Sequence, residues 1–134
     1  MNKIEIMGVL NITENSFYDG GSYNDISSSV KQAKYLIEEG ADIIDIGAES
    51  SRPGSDPVPS EVQISKIMPV VESVREISDI PISIDTRSAD VIKSLLKYKI
   101  DIVNDISSLE DDAMLEIIRE NNLSISLMHM QGTP

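Results

Sequence analysis

The residues of this sequence that are best suited to chemistry follow its short apolar segments. Asn11 comes directly after the first segment, Asp85 after the third and Asn104 after the fourth. Arg52 lies in a long loop after the second segment. An amide oxygen suits Mg²⁺, which takes oxygen ligands and often shares them with a substrate phosphate, and arginine binds phosphate or carboxylate groups in a bidentate manner. The pattern favours an anion site, with Asn11 as the candidate metal ligand.

Asp85 and Asn104 form a second candidate group. A carboxylate at the end of an apolar strand must be paired or hydrogen-bonded, because isolated burial is costly. Asp85 could accept a hydrogen bond from Thr86 or Asn104, or from the N–H donors of a ligand ring. The Asn104 amide adds two donors and an acceptor, so the two residues together would suit a heterocycle with alternating donors and acceptors, such as a pterin. The alternative is a structural hydrogen-bonded pair between neighbouring strands.

Simpler interpretations compete with these assignments. Asn11 and Asp19 belong to residue types that favour turns and caps, and a single loop arginine such as Arg52 is most often a solvated charge. His129 is the only histidine, and no Ser-His-Asp or His-x-x-His spacing exists. Nucleophilic triads and zinc sites are therefore unsupported. The loop that carries Arg52 is long between short elements, which is more typical of a functional loop than of an idle one.

Alternating strands and helices must position these side chains. Ser60 and Gln63 predict a capping box that opens the second helix. Ser88 is predicted to cap the third helix, Gly40 to end the first in a left-handed conformation, and residues 121–122 to end the fourth. Five isoleucine-rich runs, separated by apolar residues at helical spacing, predict the strands. These strands cover residues 4–10, 42–46, 80–84, 100–103 and 123–127.

The order β-α-β-α-β-α-β-α-β predicts an α/β fold with a parallel sheet and right-handed crossovers. One fitting architecture is an open sheet with helices on both faces, which would be complete with five strands. The other is a (β/α)8 barrel, which needs about 250 residues. The 134 residues of the chain favour the open sheet. In both architectures, ligands bind at the carboxyl ends of the strands.

Composition excludes several classes of partner. The net charge of −12 argues against duplex nucleic acid and anionic membranes, because both require basic patches. The chain has no cysteine, which excludes disulfides and cysteine-based metal or redox sites. Its first residues do not resemble a leader peptide, and no apolar run approaches the roughly 20 residues that span a bilayer. We therefore expect a cytoplasmic protein.

Five segments follow one another along the chain: residues 7–13 with Ser16, Phe17 and 19–21, residues 45–54, residues 84–86, residues 103–106 and residues 127–134. In this order and spacing they resemble the dihydropteroate synthase family, and the resemblance covers essentially the whole chain. It implies a TIM (β/α)8 barrel, of which only about the first five strands and four helices are present. Residues 1–134 would then be the N-terminal part of a single pterin-binding barrel domain, which replaces the preference for an open sheet.

The resemblance also implies an enzyme of folate biosynthesis. Members of the family are transferases that join 6-hydroxymethyl-7,8-dihydropterin diphosphate to 4-aminobenzoate in a Mg²⁺-dependent step, which releases diphosphate. By resemblance, Asn11 would help to hold Mg²⁺ and diphosphate, and Asp85 and Asn104 would hydrogen-bond the pterin. The other implied site residues are Asp19 in the first loop, Arg52 near the diphosphate, Ser51 and Pro53 at the aminobenzoate pocket, and Met128 against the pterin; Asp19, Arg52 and Asp85 would be catalytic.

The chain differs from the family pattern in two places and also lacks one group of the family's site residues. Glu14-Asn15 stands where Pro-Asp is usual, and Ser51 replaces a threonine. The family's remaining strands supply an aspartate, a lysine, an arginine and a histidine that have no counterpart here. The expected partners are therefore a C-terminal half or, as in the family, a second copy in a homodimer. Alternatives are the pterin-binding domain of a folate-dependent methyltransferase and a self-contained five-stranded binding domain.

Overall fold

The protein alternates strands and helices as the sequence predicts. A computed structural model describes residues 3–12, 23–49, 56–107 and 109–127. The strands are β1 (Met7–Asn11), β2 (Ile43–Gly47), β3 (Ile82–Asp85), β4 (Ile102–Asp105) and β5 (Ser124–Leu127). The helices are α1 (Tyr23–Glu38), α2 (Ser60–Ile77), α3 (Ala89–Leu95) and α4 (Asp112–Glu120), and a 3₁₀ turn (Leu96–Tyr98) follows α3.

The five strands form one parallel sheet in the sequential order β1-β2-β3-β4-β5. Right-handed crossovers between successive neighbours place every helix on the same face of the sheet, and each helix packs against the next one along the chain. A doubly wound open sheet would reverse its strand order and carry helices on both faces. The length-based preference for the open sheet was therefore wrong, and the sheet has the topology of a barrel segment.

The core lies between the sheet and the helices. Leu10, Ile46, Ile84 and Val103 are aligned in register across β1 to β4 and are buried. They pack with aliphatic residues of the helices in one continuous cluster. Burial of such a side chain contributes about 1.5–3 kcal/mol. The opposite, concave face is more open, since Val9 is 55% exposed there.

Three of the four predicted helix ends are confirmed. Gly40 follows α1 with a φ of 108°, a conformation that glycine adopts readily. The Ser88 side chain accepts a hydrogen bond from the backbone N–H of Val91 and caps α3. Asn121 ends α4, and Asn122 has a φ of 53°. No helix in the part of the chain that the structure describes is long and apolar enough to cross a membrane.

The capping box predicted for Ser60 and Gln63 is wrong. Helix α2 already begins at Ser60, and Pro59 precedes it without a side-chain capping bond. The Ser60 hydroxyl is hydrogen-bonded to the Ser88 hydroxyl, 2.7 Å away. Gln63 is only 2% exposed, and its amide bonds to groups outside the helix. Tertiary contacts have therefore replaced the local motif.

Candidate functional site

The carboxyl edge of the sheet brings together three of the predicted site residues. Asn11 is in register with Gly47, Gly47 with Asp85, and Asp85 with Asn104. Side chains alternate between the two faces of a sheet, so these residues lie on the concave face, away from the core. The sequence placed Asn11, Asp85 and Asn104 just after their strands. The structure instead includes them in the hydrogen-bonded ladder, which fixes their spacing.

Gly47 leaves room for Asp85 at this edge. A Cβ atom at position 47 would lie 3.0 Å from Asp85 Cβ and 3.1 Å from the Asp85 carbonyl oxygen. Both separations are shorter than ordinary van der Waals contact between side chain and backbone. The absence of a side chain at Gly47 therefore leaves space for the Asp85 carboxylate in the row formed by Asn11, Gly47, Asp85 and Asn104.

The Asp85 carboxylate is in an environment that disfavours its charge. The pKa of Asp85 is raised to about 6, first because of burial and then because of the negative charges of Asp45, Glu49 and Asp105, while Arg87 opposes the rise. None of the hydrogen bonds among the described residues reaches this carboxylate. A ligand N–H placed there would therefore find an acceptor that no donor among the described residues occupies.

The hydrogen bonds predicted for Asp85 are made elsewhere. The Thr86 hydroxyl donates to the side-chain oxygen of Gln63 at 2.8 Å. The Asn104 amide donates through Nδ2 to Asp45 Oδ2 at 3.2 Å. Asp85 and Asn104 are neighbours in register but do not form the structural pair that was the alternative interpretation. The acceptors are instead Gln63 for Thr86 and Asp45 for Asn104. The sequence pattern indicated no role at the site for either acceptor.

Asp45 lies one layer below the row, on the same concave face. It is 3% exposed, and Ser83, its register partner on β3, is fully buried. Burial raises the pKa of Asp45, whereas Ser83 and Asn104 oppose the rise; the geometry between Asp45 and Ser83 nevertheless falls short of a hydrogen bond. Among the described residues, Asp45 Oδ1 and Ser83 Oγ have no hydrogen-bond partner. The signal in the sequence was a charged residue between Ile44 and Ile46.

A second polar network joins the ends of two loops. Glu49 forms an ion pair with Arg87 and accepts hydrogen bonds from the Val58 backbone N–H at 3.2 Å and from Gln63 Nε2 at 3.1 Å. Gln63 also donates to the Val58 carbonyl at 2.8 Å and accepts from Thr86. The network therefore fixes both ends of the loop between β2 and α2 against the start of the loop after β3.

Several predicted site residues lie outside the described part of the chain and stay predictions. Asn11 is described: its side chain is exposed at the end of β1. The described residues contain no cluster of three or more histidine, aspartate, glutamate or cysteine side chains that could hold a metal ion. Mg²⁺ often binds through one or two protein oxygens and substrate phosphates, which an exposed asparagine can accommodate. The undescribed site residues are Asp19, Ser51, Arg52, Pro53 and Met128.

Comparison with known proteins identifies relatives of this chain. Residues 7–134 match the family model of pterin-binding enzymes. The dihydropteroate synthase of Escherichia coli K12 is 43% identical over 129 residues, which are 96% of this chain and 46% of that protein.

Solved structures show the same likeness. The dihydropteroate synthase of Clostridium difficile, crystallised in the presence of pteroic acid, superimposes with a TM-score of 0.90 at 40% identity and covers 97% of this chain and 50% of that one. The Anaplasma phagocytophilum enzyme with bound 6-hydroxymethylpterin-monophosphate gives a TM-score of 0.86 at 39% identity, over 96% of this chain and 49% of that one. The chain therefore spans about half the length of the relatives it matches.

Proposed function

Because this chain belongs to the family of pterin-binding enzymes, we propose that residues 1–134 form the N-terminal part of a single (β/α)8-barrel domain with dihydropteroate synthase activity. The substrates would be 6-hydroxymethyl-7,8-dihydropterin diphosphate and 4-aminobenzoate, and the products 7,8-dihydropteroate and diphosphate. The observation that carries this proposal is the pair of Asp85 and Asn104, side by side at the carboxyl edge, where the Asp85 carboxylate accepts none of the hydrogen bonds among the residues that the structure describes.

The reaction replaces one bond at the methylene carbon of the pterin. The C–O bond to diphosphate breaks, the nitrogen of 4-aminobenzoate forms a C–N bond with the same carbon, and that nitrogen loses a proton to solvent. Asp85 would accept hydrogen bonds from ring N–H groups, and Asn104 would supply a donor and an acceptor beside it. By holding the ring, these residues fix the position of the carbon that the amine attacks, which replaces a bimolecular encounter by an oriented one.

Asn11 is proposed to hold Mg²⁺ together with the diphosphate. Mg²⁺ would neutralise the negative charge that develops on the leaving diphosphate. Arg52 would bind the same group through its guanidinium, Asp19 would close the first loop over the site, and Ser51 and Pro53 would contact the aminobenzoate. Met128 would pack against the pterin ring. We propose that the protein acts in the cytoplasm, with a C-terminal half or a second copy as its partner.

The experiment that tests this function is a turnover assay of the full-length gene product that contains this chain. The two substrates are supplied with Mg²⁺, and diphosphate and 7,8-dihydropteroate are both quantified. We expect equal amounts of the two products, and a loss of about 10–100-fold in kcat/KM for Asp85→Asn, because a hydrogen bond to an ionised group contributes about 1.5–3 kcal/mol. Asp90→Asn, on the exposed start of α3, is the matched control and should retain activity.

The absence of both products from a folded full-length protein would reject the proposal. Diphosphate release without dihydropteroate would mean that water, not the amine, attacks the pterin, and this would reject the aminobenzoate assignment. Binding of a methylated folate in place of either substrate would favour the methyltransferase alternative.

A further inference from the structure

Asp45 is a buried carboxylate in an otherwise aliphatic stretch of β2. Its neighbours along the strand, Ile44 and Ile46, face the helices and are fully buried, whereas Asp45 faces the concave side. It is 3% exposed, and no lysine or arginine among the described residues pairs with it. A buried carboxylate without a cation destabilises a fold unless hydrogen bonds compensate. This side chain therefore adds little to stability.

Among the described residues, the Asp45 side chain makes one hydrogen bond, to Asn104. Asn104 Nδ2 donates to Asp45 Oδ2 at 3.2 Å, from a residue 59 positions away along the chain. An amide has a donor end and an acceptor end that differ little in shape, so its orientation is determined by its hydrogen-bond partners. A carboxylate can only accept. Asp45 therefore selects the orientation of Asn104 in which the nitrogen points toward β2.

The layer beneath the site contains a second buried polar side chain, that of Ser83. Asp45 Oδ1 and the neighbouring Ser83 Oγ are both buried without a hydrogen-bond partner among the described residues. Ser83 makes no bond to Asn104, so the layer contains one residue that contacts the site and one that does not. This difference provides a matched control at the same depth of the sheet.

We propose that Asp45 is a positioning residue for the ring-binding site, which it serves by fixing the amide of Asn104 so that the carbonyl oxygen and the second N–H face the ligand. The inference rests on the proposed function, because it requires Asn104 to bind the pterin. Asp45 itself does not touch the ring. It acts through Asn104, so its effect on binding depends on the presence of that amide.

Pterin affinity of the full-length gene product tests this role, with 6-hydroxymethylpterin as the probe in a calorimetric titration. Asp45→Leu keeps the branched shape and the number of heavy atoms but removes the acceptor, and we expect affinity to fall about tenfold. Asp45→Asn can still accept from Asn104 and can donate to Ser83, so its affinity should stay within about threefold of wild type. Ser83→Ala should have no effect. Asp45→Ala replaces Asp45→Leu if the leucine variant does not fold.

The same substitution in an Asn104→Ala background separates the possible outcomes. If Asp45 acts through Asn104, Asp45→Leu should change affinity less than about twofold there. A tenfold loss in both backgrounds would overturn the inference, as would a failure of Asp45→Asn to retain binding. If Asn104→Ala alone leaves pterin affinity unchanged, the proposed role of Asn104 fails, and the positioning role fails with it.

Discussion

The two ends of the sheet differ in how fully their charged side chains are hydrogen-bonded to the rest of the protein. At the amino end, the Arg75 guanidinium donates to the backbone carbonyls of Tyr98 at 2.8 Å and Lys99 at 2.7 Å and to the Asp101 carboxylate at 3.1 Å. Asp101 in turn accepts from the Ile82 backbone N–H at 3.0 Å. These bonds join the end of α2 to the starts of β3 and β4. The charged side chains at this end therefore serve as hydrogen-bond partners for backbone N–H and carbonyl groups.

At the carboxyl end, Glu49 is paired with Arg87, but the Asp85 carboxylate accepts none of the hydrogen bonds among the described residues. The pKa of Asp85 is raised to about 6 by burial and by neighbouring carboxylates. By contrast, the pKa of Asp42, just before β2, is lowered, mainly because the Ile6 backbone N–H donates to it and also because Lys3 lies beside it. Asp42 lies only three positions before Asp45, whose pKa is raised by burial.

The difference matches the division of labour in (β/α) barrels, in which the amino ends of the strands serve stability and the carboxyl ends serve ligands. Acceptors that already have several protein donors have less capacity to accept hydrogen bonds from a substrate. We therefore predict that substitutions at the amino end lower stability without changing ligand binding, whereas substitutions of Asp85 and Asn104 at the carboxyl edge weaken ligand binding.

The largest expected effect on stability comes from Arg75. Arg75→Met should lower the free energy of unfolding by about 3 kcal/mol, because the partly buried Tyr98 carbonyl and the Asp101 carboxylate lose a charged donor. Pterin affinity of the folded protein should stay unchanged. Urea denaturation followed by circular dichroism provides the measurement, and Arg119→Met on the exposed side of α4 is the control, with a change of about 0.5 kcal/mol or less. A loss of affinity without a loss of stability would break the division between the two ends.

Gln63 tests the network that connects two loops at the carboxyl end. Gln63→Leu should lower the free energy of unfolding by about 2 kcal/mol, because Glu49 and Thr86 lose a buried partner. Because this network fixes both ends of the loop after β2, we also expect a higher KM for 4-aminobenzoate with little change in KM for the pterin substrate. Gln32→Leu, exposed on α1, is the matched control and should change neither property.

Asp85 should make the protein less stable as pH rises. Its pKa is about 6 in the folded state, against 3.8 for an ordinary aspartate, so the native state binds more protons between these values and stability falls as pH rises through them. Asp85→Asn should therefore unfold at higher urea than wild type at pH 7.5, with a gain on the order of 1 kcal/mol after solvent screening of this partly exposed group. The gain should disappear below about pH 4. A gain that is independent of pH would contradict the assigned cause.

The smallest effect is expected at Asp42, with the opposite sign. Because its pKa is lowered in the folded state, the ionised carboxylate stabilises the fold above the ordinary value of 3.8 and this stabilisation is lost as pH falls through the folded pKa. Asp42→Asn should lower the unfolding midpoint slightly at neutral pH and leave it unchanged in strong acid. Thermal melts at the two pH values measure the difference. A higher midpoint for Asp42→Asn at neutral pH would place Asp42 in the same class as Asp85.

Local sequence patterns predicted the elements better than their arrangement. Short isoleucine-rich runs and helix-capping residues such as Ser88 are local signals, so five strands and four helices were placed within a few residues. The choice between an open sheet and a barrel depends on strand order, which is a long-range property that composition and spacing do not encode. The resemblance to a family decided that question.

The candidate site was predicted to a similar extent. Asp85 and Asn104 were identified because the carboxyl ends of parallel strands meet at one edge. The hydrogen-bond partners of the site residues were not predicted. Asn104 on β4 donates to Asp45 on β2, across the intervening strand β3, and Gln63 donates to Glu49 where a local capping bond was predicted. Such hydrogen bonds can be predicted only when the register of the strands in the sheet is known.

A crystal structure of the full-length gene product with bound 6-hydroxymethylpterin would show whether this edge is the pterin site. We expect the ring at the carboxyl edge of the sheet, with one of its N–H groups within hydrogen-bond distance of the Asp85 carboxylate and its edge against the Asn104 amide. Asn104 should keep its bond to Asp45. A ring bound elsewhere, with neither Asp85 nor Asn104 in contact, would contradict the assignment of this edge as the pterin site.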